Sequence, residues 1–245
     1  MKIYIIFFCA LRSIVGHRHR DMIPTIIEKA PWQVSVEYDG AFRCGAALLT
    51  PSWVVTVASC LVNMPNAHNV TVRAGSSFVG IGGQTRGVDH IHIHDSYGTG
   101  GQANDIGLLF LRKAFSGDIT MKTLKLPHSE EQEFLQFPFT DHKRILTTGW
   151  STGSKHGQLV QMHFPLVPWL HCNILYFGAK KVHLDQFCVG FQQENVCRED
   201  LGSPAVKDDR LLGLLVSGCD SDPKKPAIYT SVPSHVQWIK DTLLF

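Results

Sequence analysis

The sequence has no tract of like charge, no low-complexity segment and no internal repeat. Charged residues make up only 18% of it and the formal net charge is +2, which excludes the basic surface of a nucleic-acid-binding protein. It lacks the run of about 20 apolar residues that crosses a bilayer. It has no CxxC pair, so a thiolate zinc site is excluded. The stretch from Gly75 to Gly87 contains no Asp or Glu, so it cannot be an acidic calcium loop. What remains is ordinary globular material: 44% hydrophobic residues in 245, enough for one or two compact domains.

The start of the chain carries compartment information. Met1 and Lys2 precede the apolar run Ile3 to Leu11, the layout of a secretory signal peptide. Cleavage after Gly16 leaves a small residue at the scar but places Arg12 inside the leader. Cleavage after Ala10 would leave Phe8 where a small side chain is preferred. We take 1–16 as the signal, and secretion to the extracellular space follows from it. Of seven cysteines, Cys9 lies in that leader, and six remain: Cys44, Cys60, Cys172, Cys188, Cys197 and Cys219. An even number suits a disulfide framework in an oxidising compartment, with about 15 connectivities open on spacing alone.

The pattern is mostly β. Short runs rich in Val, Ile, Leu and Thr recur between Gly, Pro, Asn and Asp: Trp32 to Tyr38, Ala46 to Thr50, Trp53 to Ala58, Val70 to Ala74, Ile106 to Leu111, Arg144 to Thr148, Leu211 to Ser217 and Ala227 to Val232. Val34 and Val36 alternate with Ser35, the period of a half-buried strand, whereas Leu108 to Leu111 is apolar throughout, as in a strand covered on both faces. Ser234 is placed to cap a C-terminal helix carrying Val236, Ile239 and Leu243 on one face. Gly80 to Gly87 and Gly98 to Gly101 read as loops. Pro127 to Thr140 has little periodicity and is the candidate connection between two halves, each expected to be a small barrel.

Six segments make the pattern specific: "WQVSV" (Trp32–Val36), "CGAALLTPSWVVTVASC" (Cys44–Cys60), "NDIGLLFL" (Asn104–Leu111), "TTGWST" (Thr147–Thr152), "CREDLGSP" (Cys197–Pro204) and "PAIYTSVPSHVQWIKDTL" (Pro226–Leu243). In this order they resemble the chymotrypsin/trypsin family of serine proteases, from about Ile27 to Phe245. The resemblance implies an all-β fold of two six-stranded antiparallel β-barrels with a C-terminal helix and an active-site cleft between the barrels. On it, 17–26 is a degenerate activation segment and 27–245 the protease domain, dividing near 121–140. It selects the pairs Cys44–Cys60, Cys172–Cys188 and Cys197–Cys219, each contributing about 2–4 kcal/mol.

The family's chemistry needs a serine hydroxyl that attacks, an imidazole that takes its proton and a buried carboxylate that orients the imidazole. The position before Cys60 should be histidine and is Ser59. The position after Asp200 should be the nucleophile and is Leu201. A serine hydroxyl is no base near neutral pH, and an alkyl chain has no lone pair. Asp105 stands where the orienting carboxylate belongs, and without an imidazole its plainer role is a buried acid held by hydrogen bonds, with Ser59 a natural partner. Glu199 replaces the glycine whose N–H helps to form the oxyanion hole. Ser203 is the nearest hydroxyl to Leu201; its plainer role is a hydrogen-bonded loop residue. The resemblance assigns Asn195 to the pocket floor, without the anion that would attract Arg or Lys, and Ala227 to the pocket. The wall segment Leu214 to Cys219 lacks tryptophan and is about two residues short by comparison with the family, which weakens strand-like docking of a peptide. Ile14-Val15-Gly16 follows Ser13 rather than a basic residue, and counting back from Pro31 puts His19 and Arg20 where the buried terminus should begin. A rearranged loop near Asp200 is therefore expected.

Asn69-Val70-Thr71 is an N-glycosylation sequon. His90, His92 and His94 alternate along one strand, a spacing that could hold a metal, although a solvated strand face is the plainer explanation. The expected protein is a secreted, catalytically inactive trypsin-like homologue that acts by binding a protein partner: an active protease, an inhibitor or a receptor. It needs no cofactor or metal, no nucleic acid, and no membrane once the leader is removed. The alternatives are a serine-type endopeptidase or other hydrolase with a rearranged site, and a diverging duplicate without a selected role.

Overall fold

The structure is a computed structural model that describes residues 23–99, 102–117, 119–128, 130–136, 144–150, 157–190, 200–218 and 225–244. The leader 1–16, Asn195, Glu199 and the Cys197–Cys219 pair lie outside the described residues.

A two-residue strand, β1 (Ile23–Pro24), precedes the first barrel. That barrel is built from β2 (Gln33–Tyr38), β3 (Ala41–Thr50), β4 (Trp53–Thr56), β5 (Val70–Ala74), β6 (Gln84–Ile93) and β7 (Gly107–Leu111), closed in the order β2-β3-β4-β7-β6-β5. Asp39 and Gly40 join β2 to β3 with φ of 51° and 75°, the doubly positive turn whose twist suits a tight hairpin. The second barrel comprises β8 (Arg144–Gly149), β9 (Val160–Val167), β10 (Gln186–Val189), β11 (Pro204–Lys207), β12 (Arg210–Ser217) and β13 (Ala227–Ser231). Pairing of β8 with β9 closes this ring, and β1 adds to the outside of β9. All strand pairs in both rings are antiparallel. Closure leaves no unpaired sheet edge to template aggregation.

Short helices plug and border the barrels: α1 (Ala58–Leu61), α2 (Glu131–Gln136), α3 (Trp169–Leu175) and α4 (Val236–Leu243). Within the connection from β7 to β8, α2 forms where the sequence showed little periodicity; its Leu135 is fully buried in the second core with Ile145, Met162, Phe187 and Leu212. The disulfides Cys44–Cys60 and Cys172–Cys188 tie β3 to α1 and α3 to β10.

Three details differ from the sequence reading. Ser35 is buried along with its valine neighbours, because the other barrel covers that face of β2. Strand β6 begins at Gln84, inside the stretch read as a loop, and pairs there with β5. Ser234 is exposed inside a 3-10 turn, Pro233–His235, and His235 takes the cap position without a side-chain cap bond. Helical periodicity still holds, with Ile239 fully buried and Leu243 packed on the core.

The barrels meet across a buried polar bridge. The Gln33 side chain, at 0% exposure, accepts a hydrogen bond from Thr148 Oγ1 at 2.6 Å and donates to Ser203 Oγ at 3.3 Å. One side chain from β2 thus holds β8 and the loop before β11. Replacing it by an apolar group of similar length leaves two buried hydroxyls without those partners, at about 1–3 kcal/mol each. Gln33→Met is expected to lower the midpoint of urea unfolding with little change in m-value, a total loss of about 2–4 kcal/mol. An unchanged midpoint would show that the bridge contributes nothing.

Candidate active-site region

Ser59, Asp105 and Leu201 come from distant parts of the chain. Covalent and hydrogen-bonded links gather their neighbourhoods. Ser59 lies in α1 next to Cys60, which is bonded to Cys44 of β3. The next residue of β3, Gly45, donates its N–H to the Leu201 carbonyl at 2.8 Å. Gly45 also accepts a hydrogen bond from Thr56 Oγ1 at 2.8 Å. Gly202 sits against these two groups with φ of 81°, so any Cβ there would both strain the backbone and collide with Thr56 Oγ1 and the Gly45 carbonyl oxygen. Glycine at 202 therefore allows the loop to approach the first barrel closely.

Asp105 is fully buried just before β7. Its Oδ1 accepts the backbone N–H of Ser59 at 2.7 Å. Sequence reasoning anticipated this partner; the Ser59 amide makes the bond of regular geometry. Ser59 Oγ and Asp105 Oδ2 are both buried without a hydrogen bond of regular geometry. Burial pushes the Asp105 carboxyl above its ordinary range, against the opposing pull of the Ser59 and Ala58 groups and the charge of Lys180. The same burial, with the Asp105 charge, raises the Tyr97 phenol.

Leu201 is half-buried and packs on the first-barrel core. Ser203, at 3% exposure, receives its hydrogen bond from Gln33, and its N–H donates to the Asp200 carbonyl at 2.9 Å. Asp200 is itself buried, its carboxylate lying against Gly149 and raising the Tyr229 phenol together with burial. Leu201 thus sits in apolar surroundings and Ser203 in hydrogen-bonded ones.

The sequence matches the trypsin family model over residues 22–239. The chain belongs to the trypsin family. It is 27% identical to a trypsin of Phaedon cochleariae over 219 residues, 86% of this chain and 83% of that protein. It is 29% identical to human transmembrane protease serine 11B over 221 residues, covering 85% of this chain and 51% of the relative, so the chain spans about half that relative's length. Among solved structures it is similar to the scabies mite inactivated protease paralogue S-D1, with a TM-score of 0.77 and 23% identity over 90% of this chain and 95% of that one. The last likeness concerns the fold.

Other residues of this trypsin-family chain fall as follows. Ala227 opens β13, buried and paired with Val189. Strand β12 carries an irregularity between Leu215 and Ser217, within the segment expected to form the pocket wall. Asn69 is exposed at the end of the 3-10 turn Ala67–Asn69, leading into β5. The three strand histidines do not converge: His90 pairs with Asp89 at 3.1 Å, while the His94 ring lies 4.9 Å from Trp238 and 5.4 Å from His235. No helix among the described residues is long and apolar enough to cross a membrane.

Sequence reasoning missed His235, because it was read only as part of a helix start. The structure buries it where α4, the Asn104 turn and Asp185 meet. Nδ1–H donates to the Ser231 carbonyl at 2.7 Å, and Nε2 faces Asn104 Oδ1 at 3.3 Å and Asp185 Oδ2 at 3.8 Å. Asp185 also receives the Asn104 N–H at 2.6 Å, one residue from Asp105. Burial lowers the His235 pKa despite the Ser231 carbonyl and Asp185, and burial with the His235 charge lowers that of His94 despite Asp95 and Asp185. In the unfolded chain these imidazoles take up protons as pH falls through their ordinary value of 6.5, while the folded state resists until lower pH. The unfolded state then binds more protons, so their contribution to stability declines below about pH 6.5. His235→Gln is expected to flatten that decline, shrinking the difference in thermal midpoint between about pH 7.5 and about pH 5. An identical difference in parent and variant would refute it.

Proposed function

We propose that this chain is a secreted, catalytically inactive trypsin homologue that acts by binding rather than by cleaving. The observation that carries the reading is the residue set at Ser59, Asp105 and Leu201. Asp105 accepts a hydrogen bond from the Ser59 amide, and Ser59 contributes an alcohol where family chemistry uses an imidazole. At Leu201 the attacking hydroxyl is replaced by a hydrocarbon packed on the core. Members of such a triad act as a unit, so losing either one removes most of the rate enhancement. Ser203 offers no substitute nucleophile in this arrangement, because its hydroxyl is buried and held by the Gln33 amide. By the family resemblance, Asn195 stands where an aspartate would mark the pocket floor and Glu199 where a glycine would serve the oxyanion hole, which supports the same reading. One solved structure of this fold is of a mite paralogue described as inactivated, so the reading has a precedent in the fold.

The apolar leader supports secretion, and the two disulfides fit an oxidising compartment. The exposed Asn69 sequon supports glycosylation there.

Two measurements test this. The purified secreted protein is expected to show no labelling by a fluorophosphonate probe at neutral pH, alongside a labelled active trypsin. Labelling that disappears in Ser203→Ala would overturn the inactive reading in favour of a rearranged hydrolase. Expressed through a eukaryotic secretory pathway, the chain is expected to lose apparent mass on glycosidase treatment and to run at the deglycosylated position when Asn69→Gln is introduced. A mass unaffected by either would refute modification at Asn69.

A further inference from the structure

Helix α3 is apolar on both sides. Its inner side holds Cys172 and Tyr176, at 0% and 1% exposure. Its outer side continues into the following turn and presents Leu170, Ile174 and Phe177 at 66%, 63% and 90% exposure. Positions i, i+4 and i+7 share one helix face, so the outward residues form a stripe. Large apolar side chains on a helix normally face other protein groups. Here one side faces water.

The stripe is held rigidly. Cys172 is bonded to Cys188, and Tyr176 Oη donates to the Pro226 carbonyl at 2.7 Å. Trp169 Nε1 donates to the His183 carbonyl at 3.1 Å, fixing the 177–184 loop against the start of the helix. Apolar side chains on a fixed backbone lose little entropy on binding. Two concavities flank the stripe. One, of about 440 Å³, lies between Asn173, Phe177 and Lys181; the other, of about 500 Å³, between Trp169, Lys181 and Leu184. Lys181 borders both.

Among the described residues, the charges beside the stripe are mostly lysines. Lys180 and Lys181 follow Phe177 in the loop, and Lys225 lies over the Tyr176 ring at 5.3 Å. The acid in these linings is Asp185, whose carboxylate already receives the Asn104 N–H and faces His235. Concavities beside an apolar stripe accept individual side chains, and the lysines select carboxylates.

We propose that the outer face of α3 and the 177–184 loop is a docking surface for an acidic, amphipathic segment of another protein. The idea deepens the binding role proposed above and rests on it, but the two tests are separable. Probe labelling reports on a reactive nucleophile, whereas this test reads peptide binding at α3 and its loop.

The full-length secreted protein is used to select binders from a displayed library of random peptides, and the selected peptides are measured individually. The expected sequences carry two or three large apolar residues at helical spacing with adjacent Asp or Glu. Their affinity is expected to fall at least about 10-fold in Phe177→Asp and in Lys181→Glu, with unchanged thermal midpoints, because both side chains are exposed. Ile81→Asp, an exposed apolar position on the first barrel, is expected to leave affinity unchanged. A peptide with lysine in place of its acidic residue is expected to regain binding to Lys181→Glu. Peptides that bind all variants equally would overturn the proposal. So would sedimentation with phosphatidylserine vesicles, or self-association in ultracentrifugation, that is abolished by Phe177→Asp, since either would assign the face to a lipid surface or to a second copy.

Discussion

The two barrels are joined by backbone hydrogen bonds across the seam, such as Gly45 N–H to the Leu201 carbonyl and Leu159 N–H to the Ser77 carbonyl, and by side chains that reach across it. Gln33 is the central one. Its amide reaches a threonine of the second barrel and the serine of the 200–203 loop, with no exposure to water. Around this bridge the Gly45 N–H holds the Leu201 carbonyl, and Gly202 allows the loop to lie on the first barrel without a collision. The cleft between barrels is shaped by the same contacts. They need a backbone approach and buried hydrogen bonds. They do not need a nucleophile or a base, and this is why the architecture tolerates Ser59 and Leu201 at their positions.

Asp105 illustrates the distinction. A buried carboxylate is costly unless its oxygens are bonded. In this chain the amide of Ser59, in the first turn of α1, supplies one such bond. A catalytic site would spend that carboxylate on orienting an imidazole. Here the bond from the Ser59 amide ties α1 to the residues just before β7. The nearby His235 and Asp185 cluster similarly joins the Asn104 turn to the C-terminal helix. These polar groups tie elements together, while Leu170, Ile174 and Phe177 form an exposed apolar stripe along α3 and the turn after it.

Much of the first barrel was legible because most of its strands carry alternating or continuous apolar residues with turn residues at their ends; Val70–Ala74 matches its expected bounds to the residue. Strands β9, β10 and β11 were not. Val160–Val167 contains His163 and Pro165, and Gln186–Val189 is only four residues long. The turn from β11 to β12 is made by Asp208 and Asp209 at φ of 50° and 59°, with no glycine to announce it. The stripe on α3 was readable in principle, from the spacing of Leu170, Ile174 and Phe177. It was overlooked because apolar spacing by itself does not say which side is buried.

By itself the sequence determined the family and the residue types at 59, 105 and 201, and the family resemblance picked out the pairs Cys44–Cys60 and Cys172–Cys188 that the structure contains. These are properties of identity and order along the chain, and ordered motifs preserve them. Tertiary structure alone decided that Ser59 meets Asp105 through its amide, that Ser203 is claimed by Gln33, that His235 is buried beside Asp185, and that one side of α3 is left facing water. Each of these depends on distance and burial between residues far apart in the chain, and local pattern carries no information about either.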